Sequence, residues 1–153
     1  MQIKKIESDK KAYLPLLLLA DESEAMIERY LDRGHLYGLF GIDLVGLILV
    51  TDEGEGVLEI KNLAIAPAYR RQGYGSQLID FIKQRYSASY QWLQVGTGDS
   101  PLTIPFYLQA GFQRHRTVPD FFLINYPHPI VEAGVQLKDM IYLRQRLGHS
   151  KAN

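Results

Sequence analysis

The run Asn62-Leu63-Ala64-Ile65-Ala66-Pro67-Ala68-Tyr69-Arg70-Arg71-Gln72-Gly73-Tyr74-Gly75-Ser76 decides the fold. Its apolar first part reads as a buried strand that stops at Pro67, a residue with no N–H for a sheet ladder. Beyond the run, Leu78, Ile79, Ile82 and Tyr86 recur at helical spacing, with Gln77, Asp80, Lys83 and Gln84 largely elsewhere. A loop with two glycines and two arginines therefore joins a strand to an amphipathic helix. The first amides of a helix have no partner within it and, together with the helix dipole, attract an anion. Gly73 and Gly75 let the main chain approach phosphate oxygens, and Arg70 and Arg71 add positive charge. The junction predicts a pyrophosphate site, aimed by a helix that lies on a sheet.

Two common phosphate-binding patterns do not fit. A dinucleotide fingerprint places its glycines straight after the first strand, with an acidic residue about 20 positions on; here much of the chain precedes the loop. The G-x-x-x-x-G-K-[ST] loop is absent. Instead, Glu59-Ile60-Lys61-Asn62-Leu63-Ala64-Ile65, Pro67 and Arg70-Arg71-Gln72-Gly73-Tyr74-Gly75-Ser76, followed by Tyr107-Leu108-Gln109-Ala110-Gly111-Phe112, closely resemble the GNAT superfamily of acyl-CoA-dependent N-acetyltransferases. The resemblance runs from Leu36 to Phe112 and more loosely beyond. Gly96-Thr97-Gly98-Asp99-Ser100 and Asp120-Phe121-Phe122 suggest a small bacterial subgroup. It implies an α/β (α+β) fold with a mixed, mostly antiparallel sheet of about seven strands and helices on both faces. The strands ending at Ala66 and Val95 are then expected to splay, leaving a cleft for a pantetheine arm. Acetyl-CoA is the implied co-substrate, without a metal. The implied cofactor-binding residues are Leu63, Ala64, Ile65, Arg70, Arg71, Gln72, Gly73, Tyr74, Gly75 and Ser76.

The 153 residues, 46% of them apolar, suffice for one domain with a substantial core. No repeat, low-complexity tract or linker divides residues 1–153, so a single domain is expected. With no cysteine there is no thiol nucleophile, cysteine-ligated zinc or thiol redox chemistry, and a reducing cytoplasm is the expected compartment. Seventeen Lys and Arg balance seventeen Asp and Glu, which offers no global field for nucleic acid or an anionic membrane. The apolar stretch from Tyr13 to Ala20 contains Pro15 and is too short to span a bilayer. It runs into Asp21-Glu22-Ser23-Glu24 without a small-residue cleavage pattern, and so reads as a core helix rather than a signal peptide. His35, His115, His128 and His149 have no spacing suited to a metal.

Along the chain, Gln2 to Glu7 reads as a strand, and Lys11 to Ala20 and Glu22 to Arg33 as helices, the second capped by Asp21 or Ser23 and stopped by Gly34. Leu36 to Gly41 and Leu44 to Thr51 form a hairpin through Ile42-Asp43, and a polar turn leads into the strand from Val57 to Ala66. Gln91 to Val95 is a short strand feeding a Gly96-Thr97-Gly98 loop. A helix ends at Gly111; a start at Pro101 would place Pro105 in its interior, a start near Thr103 would place it in the first turn. Phe112 to Thr117 and Gln136 to Leu143 are the last strands, joined by an aromatic and proline-rich connection from Val118 to Gly134. Ile141, Tyr142 and Leu143 in the final strand leave a homodimer open.

Acyl transfer from a thioester to an amine needs a neutral amine, a polarised carbonyl, a proton for the departing thiolate and two reactants held in line. The resemblance gives Tyr107 the position of the proton donor, which suits a phenol with a pKa near 10; the plain alternative is a helix tyrosine packed on the sheet. It gives Glu59 the acidic position that some members use as general base. On a strand Glu59 points away from Leu58 and Ile60 and is either a cleft carboxylate or a solvated one. For substrate binding the resemblance points to the first helical region and the final strand pair, where Glu22, Glu24, Glu28 and Asp32, with Phe121, Phe122 and Tyr126, would suit a primary amine, on a small molecule or peptide, that carries aromatic or aliphatic bulk; the plain alternatives are a solvated charged face and aromatics that only cover the core. A non-catalytic acyl-CoA-binding regulatory module is the competing reading.

Overall fold

The computed structural model describes residues 1–148; His149 lies outside them. Strand β1 (Gln2–Ile6) leads through a 3₁₀ turn (Lys10–Tyr13) to α1 (Leu14–Ala20) and α2 (Glu24–Glu28). An antiparallel meander follows, of β2 (His35–Phe40), β3 (Leu44–Asp52) and β4 (Val57–Ile65). Then come α3 (Tyr74–Tyr86), β5 (Trp92–Gly98), α4 (Ile104–Gln109), β6 (Gln113–Val118), α5 (Phe121–Asn125), a two-strand hairpin of β7 (Val131–Glu132) and β8 (Val135–Gln136), and β9 (Met140–Arg146). Seven strands make one sheet in the order β1-β2-β3-β4-β5-β9-β6, in which only β4 and β5 run parallel. This is the expected mixed, mostly antiparallel sheet.

Two apolar layers flank the sheet because its central strands are apolar on both faces. Leu78, Ile79 and Ile82 of α3 and Tyr107 of α4 pack on one side with Leu58, Ile60 and Leu93. Leu17 of α1 and Ile27 of α2 pack on the other with Leu36, Leu47 and Ala64. Strand β4 changes the facing of its side chains part-way. Val50 pairs with Ile60 and Leu49 with Asn62, so Lys61 is an extra residue in the ladder. Before this bulge Leu58 and Ile60 face α3; after it Leu63 and Ile65 do, while Asn62 and Ala64 turn to the α1 side. A bulge adds local twist and bends its strand.

The bend opens the sheet. Strand β4 pairs with β5 only from Val57↔Trp92 to Ile60↔Val95. Past that point β4 stays with β3 as far as Gly46↔Ile65, and β5 stays with β9 as far as Gly98↔Met140. The two strands therefore part, as expected, after Ile60 and Val95.

Several sequence readings change. The helix expected from Lys11 to Ala20 is a 3₁₀ turn followed by α1, since a proline ring inside a helix clashes with the carbonyl four residues earlier; Pro15 sits instead in the first turn of α1. The helix expected from Glu22 to Arg33 is α helix only over Glu24–Glu28, capped by the Ser23 hydroxyl, which accepts from the Met26 amide. Beyond it the chain turns to bury Tyr30 and Leu31, and Lys10 Nζ donates to the freed carbonyls of Leu31 (3.2 Å) and Gly34 (2.8 Å). The expected Gly96-Thr97-Gly98 loop is strand, paired throughout with β9. A Cβ at Gly96 would lie 2.9 Å from Met140 Sδ, so glycine here makes room for β9. Helix α4 starts after Thr103 and holds Pro105 in its first turn. The last strand is Met140–Arg146 rather than Gln136 to Leu143, and Gln136 belongs to the small hairpin, which with α5 occupies the aromatic and proline-rich connection. Ile141 and Leu143 lie in the core between β5 and β6, which accounts for their apolar character without a second copy of the chain.

Candidate active site

The parting of β4 and β5 forms one side of a cleft of about 760 Å³, which Leu63, Ala64 and Ile65 line from the unpaired edge of β4. At its far end stands the N-terminus of α3, held in aim by the burial of Leu78, Ile79, Ile82 and Tyr86. The Tyr86 hydroxyl, 2.6 Å from that of Tyr37 on β2, pins the other end of the helix to the sheet. The first hydrogen bond of the helix is donated by the Gln77 N–H to Gly73 O, so the amides of Tyr74, Gly75 and Ser76 lack helix partners. Arg70, Arg71, Gly73, Tyr74, Gly75 and Ser76 all line the cleft. Gln72 does not; its side-chain amide lies 3.5 Å from Ala68 O.

The two glycines have different reasons. Gly73 has φ +86 and open space where a Cβ would sit, so it is required by backbone conformation and leaves its surroundings clear for a ligand. Gly75 would place a Cβ 3.2 Å from Phe106 Cζ, so its smallness lets α3 close on α4. Arg70 also braces the loop, its Nε donating to Ile65 O at 3.2 Å.

A second cavity, of about 310 Å³, adjoins the cleft on the α1 side of the sheet. Ile60, Lys61, Gly96 and Thr97, the residues around the parting of the strands, line both. Phe121, Phe122 and Tyr126 of the α5 region wall the second cavity, with the rings of Phe122 and Tyr126 stacked at 5.5 Å. That wall is tied to the sheet by a polar relay. Tyr126 Oη donates to Asp21 Oδ1 (2.9 Å), Tyr30 Oη to Asp21 Oδ2 (3.2 Å), and Asn62 Nδ2 to Tyr30 Oη (3.1 Å) and Leu17 O (3.0 Å). Each link is buried or half-buried, so losing one strands its partner away from water.

Tyr107 of α4 lines the cleft with only 8% of its surface exposed, its ring edge-on to Phe106 and Phe112. Burial, and then the negative charge of Glu132, push its hydroxyl above the usual phenol range, so it keeps its proton at any ordinary pH. Glu59 lines the second cavity, 5% exposed. Its Oε1 accepts from Gln94 Nε2 at 2.6 Å and its Oε2 pairs with Lys61 Nζ at 2.9 Å. Gln94 in turn accepts from Arg144 Nε at 2.7 Å, which completes a polar row across β4, β5 and β9. Glu59 is thus neither solvated nor free.

The other acidic residues divide. Glu22 lines both cavities, whereas Glu24 and Glu28 of α2 and Asp32 in the turn beyond it are exposed and line neither. Sequence reading passed over Lys61, Gln94 and Glu132. Lys61 was recoverable as the residue two along the strand from Glu59, whereas Gln94 comes opposite it only once β4 and β5 are in register; Glu132 sits in the aromatic and proline-rich connection, and no periodicity marked it. Among the described residues no group of three His, Asp or Glu side chains is arranged to hold a metal, and no helix is long and apolar enough to cross a membrane.

Comparison with known proteins bears on this geometry. Residues 32–114 match the sequence model of the Acetyltransferase (GNAT) domain. The chain is 34% identical over 131 residues to the uncharacterised N-acetyltransferase YvbK of Bacillus subtilis, covering 84% of each protein. Its fold superposes with a TM-score of 0.90 on a GNAT family acetyltransferase from Elizabethkingia anophelis solved with acetyl-CoA bound, at 33% identity over 95% of this chain and 97% of that one. A Bacillus subtilis acetyltransferase solved in complex with CoA superposes with a TM-score of 0.87, at 32% identity over 95% of this chain and 98% of that one.

Proposed function

The chain belongs to the GNAT acetyltransferase family, and on that premise we propose that it transfers the acetyl group of acetyl-CoA to the primary amine of a small molecule or peptide, by direct attack of the amine on the thioester. The observation that carries this reading is the meeting of two cavities at the parting of β4 and β5. One ends in unpartnered amides and arginines, the other in an aromatic wall. The pyrophosphate lies on the amides of Tyr74, Gly75 and Ser76, with Gly73 clear of it and Arg70 and Arg71 beside it. The pantetheine arm runs along the open edge of β4, where main-chain groups of Leu63, Ala64 and Ile65 pair with its amides and donate to the thioester oxygen.

With the thioester placed near Ile60, the amine reaches it from the second cavity. Attack forms the C–N bond; collapse breaks the C–S bond and releases a thiolate, which takes the proton of the Tyr107 hydroxyl. The protonated amide nitrogen, far more acidic than the original amine, returns a proton to the tyrosinate. Glu59 holds the floor of the acceptor cavity through Gln94 and Lys61. Phe121, Phe122 and Tyr126 favour an acceptor with an aromatic body, and Glu22 at the mouth favours a cationic one.

The test is CoA release from acetyl-CoA with a panel of polyamines, aminoglycosides, amino acids, peptides and aryl-alkyl amines. Turnover is expected with a primary amine of the last kind. Tight acetyl-CoA binding without turnover on any amine would favour the non-catalytic acyl-CoA-binding module.

A further inference from the structure

The carboxylates around the second cavity are mostly spent. Asp21 accepts from Tyr30 and Tyr126 through its two oxygens, and also from the Ser23 amide. Glu59 uses Oε1 on Gln94 and Oε2 on Lys61. Glu22 is exposed. Glu132 differs from all three: its Oε1 is shut off from solvent and has no hydrogen-bond partner. A buried carboxylate oxygen without a donor is costly, and folded proteins seldom keep one without a ligand to meet it.

Its position supplies the ligand's character. Glu132 lines both the long cleft and the aromatic cavity, so it stands where the two reactants must meet. It is also close enough to Tyr107 for its charge to act on that hydroxyl. The hairpin that carries it turns through Ala133 (φ +50) and Gly134 (φ +78), a tight turn in which both central residues take the left-handed conformation. Ala133 adopts that conformation although it is not glycine, and it too lines the cleft.

We propose that Glu132 is the acceptor-binding carboxylate of this enzyme: on binding, its side chain turns the unpartnered oxygen into the junction of the two cavities, where it receives the ammonium group of an aryl-alkyl primary amine seated against Phe121, Phe122 and Tyr126 and takes one proton from it. This rests on the acetyltransferase reading above. The step balances. The ammonium gives one proton to the Glu132 carboxylate and becomes a neutral amine; the amine attacks the thioester carbon; the thiolate leaves with the Tyr107 proton; the amide nitrogen reprotonates Tyr107; and Glu132 releases its proton to water. The net products are the N-acetyl amine, CoA and one proton.

Phenethylamine is the probe, with phenethyl alcohol as its uncharged counterpart, each titrated by calorimetry into the 153-residue chain saturated with CoA. Wild-type protein should bind the amine better than the alcohol. Glu132→Gln should weaken the amine about tenfold or more and leave the alcohol unchanged, with CoA affinity within about twofold of wild type. The same variant should lose about a hundredfold or more in kcat/KM toward phenethylamine, and Glu132→Asp should recover part of that loss. Equal amine binding by wild type and Glu132→Gln, equal affinity of wild type for amine and alcohol, or loss of CoA binding together with turnover would each overturn the assignment. Absence of any CoA binding by wild type would instead remove the acetyltransferase reading beneath it.

Discussion

Tyr107 holds its proton because an apolar site and a nearby carboxylate both oppose a phenolate. The same burial makes Tyr107 a weaker acid than a free phenol, so in the proposed reaction its proton passes only to a thiolate that is itself deprived of water. Replacing Tyr107 with Phe removes the proton and little volume. Turnover is expected to fall by about a hundredfold or more, while acetyl-CoA affinity, measured by calorimetry, stays within a few-fold; an unchanged rate would take Tyr107 out of the mechanism. Residue-level signals in the sequence were uneven here. Tyr107 stood in a recognisable motif with Gly111 and Phe112. Glu59 was visible as an acid on an apolar strand with Lys61 two residues on, but its engagement by Gln94 depends on strands 35 positions apart in sequence meeting in register.

In the acetyl transfer proposed above, the N-terminus of α3 is the element that captures the cofactor. Gly73 occupies the N-cap position with φ +86, a region that costs an ordinary L-residue about 1–2 kcal/mol and a β-branched one more. Gly73→Val should therefore re-route the loop as well as crowd the anion. We expect CoA affinity to fall by about tenfold or more, with far-UV circular dichroism unchanged; wild-type affinity in that variant would remove the loop from the site. The amphipathic pattern of α3, with its apolar face and its Gly-bearing entry, was legible because helix periodicity is local. The bulge at Lys61 was not: Leu58, Ile60, Leu63 and Ile65 share one face only because an extra residue separates the pairs, and a strand read with strict alternation places them on two.

At the scale of the molecule, the two flanking layers and the relay that binds α5 to the sheet are held partly by buried and half-buried tyrosines. Tyr30, Tyr86, Tyr107 and Tyr126 all have their pKa raised above the usual 10.0, burial being the largest cause in each. In the unfolded chain these phenols ionise near that value while the folded protein keeps them protonated, so above it the folded state binds more protons. Their contribution to stability is fully present below pH 10 and is lost as pH climbs toward the raised folded values, each group adding a slope of no more than about 1.4 kcal/mol per pH unit. The melting temperature, followed from about pH 8 to 11, should show no loss from these tyrosines below pH 10 and a steep fall above it; a fall beginning well below pH 10 would show that other groups govern alkaline unfolding. By itself the sequence determined the elements whose causes are local: the apolar strand ending at Pro67, the loop conformation that wants glycine, the α3 face, the seven-strand fold class through two recognisable motifs, and the family to which they belong. Only the tertiary structure decided where β4 and β5 part, that Gly96 and Gly98 continue a strand, that α2 is short, and that a hairpin in the aromatic and proline-rich connection brings Glu132 to the junction of the two cavities. The physical reason is one of range. Periodicity, proline and glycine act within a few residues, whereas a ladder register, a bulge and a cavity wall are set by residues that meet only when the whole sheet has formed.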